Sequence, residues 1–130
     1  MLLDTDFVIN VMRMVPRAQA RFEALLDEDV DLAISTMTLV ELYHGLGRLD
    51  GAPRERERIE RMVHRLDPVP LDAPIAAKAG VIHGTLARGG RPIAIPDAII
   101  AATALARDEE LLSLNHRHFA RVPDLRLADV

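Results

Sequence analysis

Apolar positions along this chain fall into short unbroken runs separated by segments of helical period. The first run, Met1-Leu2-Leu3, stops on Asp4-Thr5-Asp6 and predicts a buried first strand that delivers carboxylates at its carboxyl end. Phe7 to Met12 continues apolar until Arg13 and Pro16 interrupt it, and from Ala18 to Leu26 the residues Phe22, Leu25 and Leu26 recur at helical spacing. Asp27-Glu28-Asp29 closes that helix as a solvated turn. Val30 to Ile34 predicts a second strand. Ser35-Thr36 stands ready to cap a helix from about Met37 to Leu46, which ends among Gly45 and Gly47.

Pro53 opens a charged helix, Arg54 to Leu66, with Ile59, Met62, Val63 and Leu66 on one face. Asp67 to Leu71 contains Pro68 and Pro70, which confines it to the edge of a sheet. The next helix runs from Ala73 to about Ala87 and stops at Gly89-Gly90. Ile93-Ala94-Ile95-Pro96-Asp97 leads into Ala98 to Ala106, apolar nearly all round and therefore a buried helix. Leu111 to Leu114 reads as a strand, Asn115 to Phe119 as a loop or short turn, and Leu125 to Leu127 as a last short strand. Strands alternating with helices predict an α/β fold with a mainly parallel sheet, because parallel neighbours need helical crossovers.

Composition narrows the chemistry. At 130 residues, 49% of them apolar, the chain is expected to form one domain with a real core. It has no cysteine, so any metal must be held by oxygen or imidazole. No apolar run approaches the ~20 residues of a membrane span, and the N-terminus lacks a basic segment followed by an apolar one, so a cytoplasmic location is expected. The net charge of −4 argues against coating nucleic acid by charge alone, though a local basic face still suits phosphate.

Ligands of open parallel sheets bind beyond the carboxyl ends of the strands. The strand pattern sends Asp4, Glu41, Asp97 and Asn115 to that edge. Each has a plainer reading as well: Asp4 or Asp6 as a helix cap, Thr38-x-x-Glu41 as a capping box, Asp97 as an N-cap, and Asn115 as a turn residue. Their joint position carries more weight, because carboxylates gathered at one edge repel unless protonated or neutralised by a cation. Hard oxygen ligands suit Mg²⁺ or Mn²⁺, and such an ion serves phosphoester hydrolysis by an activated water.

The segments Leu2-Leu3-Asp4-Thr5-Asp6, Ser35-Thr36 through Val40-Glu41-Leu42 to Gly45, Ile95 to Ala104, and Leu111-Leu112-Ser113-Leu114-Asn115 to Phe119 together resemble the PIN-domain ribonucleases. Within them, the chain is most similar to the VapC-type toxins of bacterial toxin–antitoxin pairs. The resemblance spans essentially the whole chain and implies a three-layer sandwich with a parallel five-stranded sheet flanked by helices. It also implies RNA cleavage assisted by Mg²⁺ or Mn²⁺. Position by position, Asp4, Glu41 and Asp97 match the family's acidic triad, with Asp4 and Asp97 as metal ligands. Asp6 and Ser113 stand at supporting positions. Asn115 is a departure, since many members carry Asp there. The resemblance further implies a homodimer and a groove for an antitoxin peptide, which the apolar-rich region of Met12, Met14, Phe22, Leu25 and Leu26 would suit.

Other features read more plainly. His44, His116 and His118 are expected to be exposed or packing histidines, since no two share a helix at ligand spacing. The Arg54 to Arg65 stretch reads as a solvated helix face with its charges interleaved. A phosphatase of the haloacid-dehalogenase kind also opens on Asp-x-Asp, but Phe7-Val8 follow Asp6 here and Lys78 is the chain's one lysine. A non-catalytic RNA- or partner-binding module of the same fold is the remaining alternative, and Asn115 is the feature that favours it.

Overall fold

Both residues of the first strand are buried, yet they enter different cores, because successive side chains of a strand point to opposite faces. In the computed structural model, which describes residues 1–50 and 52–130, the strands are β1 (Leu2–Leu3), β2 (Ala33–Ser35), β3 (Asp67–Val69), β4 (Leu111–Leu112) and β5 (Leu127–Ala128). They form one five-stranded sheet in the order β3-β2-β1-β4-β5, with every pairing parallel. The connecting helices are α1 (Thr5–Met12), α2 (Pro16–Asp27), α3 (Thr36–Arg48), α4 (Pro53–Val63), α5 (Ala73–Arg88), α6 (Ile95–Ala106) and α7 (His116–Phe119).

Leu3, Ile34 and Leu112 face one layer, where Phe7, Phe22, Leu42 and Ile59 of α1 to α4 cover them. Leu2, Ala33 and Leu111 face the other, under Ile75 of α5 and Ile100 and Ala104 of α6. This is the expected three-layer α/β sandwich. Sheets covered on both faces demand strands that are apolar throughout, which is why the short runs were visible in the sequence. No helix among the described residues is long and apolar enough to cross a membrane.

β1 lies in the middle of the sheet. The chain leaves it for β2 on one side and reaches β4 on the other, and such a reversal opens a crevice at the carboxyl ends of the two strands. Asp4 follows β1 and Ser113 follows β4, so both stand at this switch point.

Several boundaries differ from the expectation. Val30 lies in the turn that closes α2, since its N–H bonds Leu25 O after Asp29 turns left-handed at φ 55°, and the second strand begins only at Ala33. Helix α3 passes through Gly45 and Gly47, carried on by the buried Leu42 and Leu46, and ends before Asp50 at φ 54°. Helix α4 stops at Val63, three residues before the buried Leu66. Helix α6 starts at Ile95, with Pro96 inside its first turn, where a missing N–H is tolerated. β4 ends at Leu112 and leaves Leu114 exposed; Asn115 to Phe119 contains the short helix α7; the last strand lies at Leu127–Ala128. The proline-bearing strand β3 stands at an edge, as expected.

Candidate active site

Asp4 is held by the two strands that form the crevice. Its N–H bonds Leu112 O at 3.0 Å, and its carboxylate then meets Ser113, whose Oγ donates to Oδ2 at 2.7 Å. Oδ1 accepts from Thr5 N at 2.8 Å, so Asp4 also caps α1. The cap and the site are therefore not alternatives. Asp4 is only 3% exposed, and burial pushes its carboxyl up from 3.8 to about 7. The bonds from Ser113 and Thr5 work against that rise, while the charges of Asp6 and Asp97 add to it.

Glu41 is not part of a capping box. Helix α3 is capped by Ser35, whose Oγ accepts from Met37 N at 3.1 Å, which leaves Glu41 well inside the helix. Its Oε1 accepts from Thr5 Oγ1 at 2.7 Å, and Thr5 Oγ1 in turn lies 2.9 Å from Thr38 Oγ1. Thr5 has one hydroxyl proton and gives it to Glu41, so Thr38 is the donor of the second bond. Both threonines are buried. Burial raises the Glu41 carboxyl, the Thr5 bond lowers it, and the charges of Asp97 and Asp6 raise it further.

Asp97 lies in the first turn of α6 as its third residue, in a helix capped by Ala94 without a side-chain bond. The N-cap reading therefore does not apply, although a carboxylate in a first turn is favoured by the helix dipole. The carboxyl is half-buried, which raises it; His118 lowers it and Asp6 raises it. Asn115 occupies the N-cap position of α7 but makes no side-chain cap. Its N–H donates to Ser113 Oγ at 2.9 Å, and its Nδ2 lies 2.9 Å from His118 Nδ1.

The four residues selected by sequence thus come from four elements to the carboxyl edge of the sheet, with Asp97 close enough to raise both Asp4 and Glu41. Asp6, placed in a supporting role, is exposed on α1 but raises all three acids. Sequence reasoning missed the Thr5–Thr38 pair, for which the only signal was Thr5 standing between two aspartates. It also set His118 aside, whereas this ring is half-buried beside Asn115 and acts on Asp97. His44 is exposed, and His116 Nε2 meets Ala128 O at 3.2 Å, both in line with plain structural roles. The arginines of α4 pair with their own glutamates, Arg58 with Glu55 at 3.1 Å and Arg61 with Glu57 at 3.9 Å, as a solvated face does.

No arginine or lysine is among the charges that shift Asp4, Glu41 or Asp97. Lys78 is exposed on α5, so the lysine partner of the phosphatase reading is absent from the charges felt there. Oxygen donors gathered without an arginine or lysine to offset them suit a hard divalent cation. Among the described residues, no three acidic or histidine side chains are grouped closely enough to hold a metal ion by themselves, so the acids form a loose basin whose ion would need water or substrate oxygen to complete its shell.

A family model described as "PIN domain" matches residues 1–125. The chain is 35% identical over 128 residues to a protein of Shigella flexneri named "tRNA(fMet)-specific endonuclease VapC", covering 98% of this chain and 96% of that one. Among solved structures, DNA-bound VapBC from Salmonella typhimurium superposes with a TM-score of 0.87 at 30% identity, covering 98% of this chain and 96% of the other. VapBC2 from Rickettsia felis, bound to a promoter DNA fragment, shares the fold with a TM-score of 0.88 at 23% identity, covering 99% and 97% of the two chains.

Proposed function

The chain belongs to the PIN domain family, and on that premise we propose that it is a metal-dependent endoribonuclease, folded as a single domain and acting as the toxin of a type II toxin–antitoxin pair in the cytoplasm. The observation that carries this reading is the acidic basin itself. Three carboxyl groups from β1–α1, α3 and α6 are raised by burial, with Asp4 at about 7, and no lysine or arginine offsets them. An energetically unfavourable cluster of this kind is a mark of function.

Asp4 and Asp97 would hold the ion, Mg²⁺ or Mn²⁺. Such an ion, when bound, neutralises phosphoryl oxygens and makes a water easier to deprotonate. The residues of the chain do the rest. Ser113 and Thr5 N fix both oxygens of Asp4, so that this ligand is in place before substrate arrives. Glu41 is pinned at Oε1 by Thr5, which leaves Oε2 as the oxygen that takes the proton of the attacking water. Its raised proton affinity suits that task. Asn115 contributes a neutral polar group at the same edge. With a net charge of −4 the chain supplies no bulk positive field, so RNA recognition falls to local contacts.

Two surfaces support the partners. A groove of about 750 Å³ between α1, α2 and α4, with Val11, Met12, Phe22 and Met62 in its floor and Arg61 and Arg65 on its rim, fits an antitoxin segment with apolar anchors. Exposed Leu71, Val81 and Ile95 on the α5–α6 side give a homodimer an apolar face. The solved structures named VapBC to which the chain is similar are DNA-bound complexes.

The test is cleavage of purified cellular RNA by the purified chain. Cutting that needs Mg²⁺ or Mn²⁺, is stopped by EDTA, and is abolished by Asp4→Asn is the expected result. Metal binding without cutting would favour the binding-module reading.

A further inference from the structure

Asn115 differs from an aspartate in more than charge. A carboxylate presents oxygen on both branches, whereas a carboxamide presents an oxygen on one and an NH₂ on the other, so its orientation decides what it offers. In this structure one branch is already committed: Asn115 Nδ2 lies 2.9 Å from His118 Nδ1. The amide nitrogen can only donate, so in this contact Nδ1 is the acceptor, which requires the ring tautomer with its proton on Nε2. The Asn115 backbone is fixed as well, through its N–H to Ser113 Oγ at 2.9 Å and from Ser113 to Asp4 at 2.7 Å. A continuous chain of hydrogen bonds therefore runs from Asp4 to His118.

We propose that His118 is a positioning residue that holds the Asn115 carboxamide in one of its two orientations, with Oδ1 turned away from the imidazole as the acceptor it offers to the site. The proposal rests on the nuclease reading above. It assigns His118 a role through Nδ1 and through Asn115, without contact with RNA. His118 thereby makes the asparagine perform as one arm of the aspartate that other members carry.

The test uses the full chain and separates the two ring nitrogens. Asparagine places its side-chain oxygen near the position of Nδ1, and glutamine places its polar end near Nε2. RNA cleavage by His118→Asn should stay within about threefold of wild type, while His118→Ala and His118→Gln should fall about tenfold in kcat at unchanged KM. In an Asn115→Asp background, His118→Ala should lose only the smaller effect of the ring on Asp97, because a carboxylate needs no orienting partner. An independent readout comes from ¹⁵N spectra of the side-chain amides, of which the chain has only three, from Asn10, Gln19 and Asn115. The Asn115 pair should move in His118→Ala and return toward its wild-type position in His118→Asn. The proposal is overturned if His118→Gln is active and His118→Asn is not, if His118→Ala cuts RNA like wild type, or if the Asn115 pair does not move. If wild type cuts no RNA at all, the nuclease reading fails, and the amide spectrum still decides whether His118 holds Asn115.

Discussion

Ser113 Oγ donates to Asp4 Oδ2 across 2.7 Å, although the two residues stand 109 positions apart in the chain. The bond closes the crevice between β1 and β4 and lowers the proton affinity of a buried carboxyl. Ser113→Ala removes that effect, so the Asp4 carboxyl should rise further. The acid limb of the pH–rate profile should then move to higher pH, and stability should fall by about 1–2 kcal/mol, as for a buried polar group that loses its partner. A pH–rate profile and a thermal melt check both parts.

The raised carboxyls also set how stability depends on pH. Unfolded Asp4 holds a proton only below about 3.8, whereas the folded residue holds it up to about 7. Between those values the folded state binds more protons, so stability falls as pH rises, and the contribution present below 3.8 is lost by about 7. Glu41 and Asp97 shift in the same direction. The metal-free protein should therefore melt at a lower temperature at pH 7.5 than at pH 5. Asp4→Asn should flatten much of that slope and stabilise the metal-free protein at pH 7.5 by about 1–3 kcal/mol, while abolishing cleavage. A flat slope in wild type contradicts this.

Thr38 acts on Glu41 through Thr5: it donates to Thr5 Oγ1 and so orients the hydroxyl that Thr5 gives to Glu41. Thr38→Val keeps the shape and removes the donor. Stability should drop by about 1 kcal/mol and kcat by several-fold, on the order of what a misaligned catalytic group loses. Thr5→Val, which removes the bond to Glu41 itself, should lose more. Melting curves and single-turnover cleavage distinguish the two.

Asn115→Asp adds a negative charge at the same edge. If residue 115 faces the ion, Mn²⁺ should bind more tightly, by about tenfold for a gain of ~1.4 kcal/mol. Calorimetric titration measures it, and an unchanged affinity removes residue 115 from the ion's surroundings.

The legible parts of this chain are those where one physical demand acts alone. Leu2-Leu3, Ala33-Ile34 and Leu111-Leu112 must be apolar on both faces of a covered sheet, so the runs and the edge they point to could be read directly. Asp4 was visible because it ends such a run. Elsewhere, tertiary packing overrode a local signal. Gly45 and Gly47 suggested a helix end, but Leu46 buried between them keeps α3 going. Asp97 looked like a cap, but the first turn of α6 tolerates Pro96, and the helix starts two residues earlier. Thr5 with Thr38, and Asn115 with His118, are contacts made by folded geometry, and no periodicity encodes them.

The central claim, a metal-assisted ribonuclease built on Asp4, Glu41 and Asp97, is tested most directly by inducing wild type and Asp97→Asn in a bacterium without any antitoxin and sequencing newly formed RNA 5′ ends. Wild type should create new ends at a few defined sites, and the variant, accumulating to the same level, should create none. Equal end maps from the two folded proteins, or no new ends from either, would contradict the account.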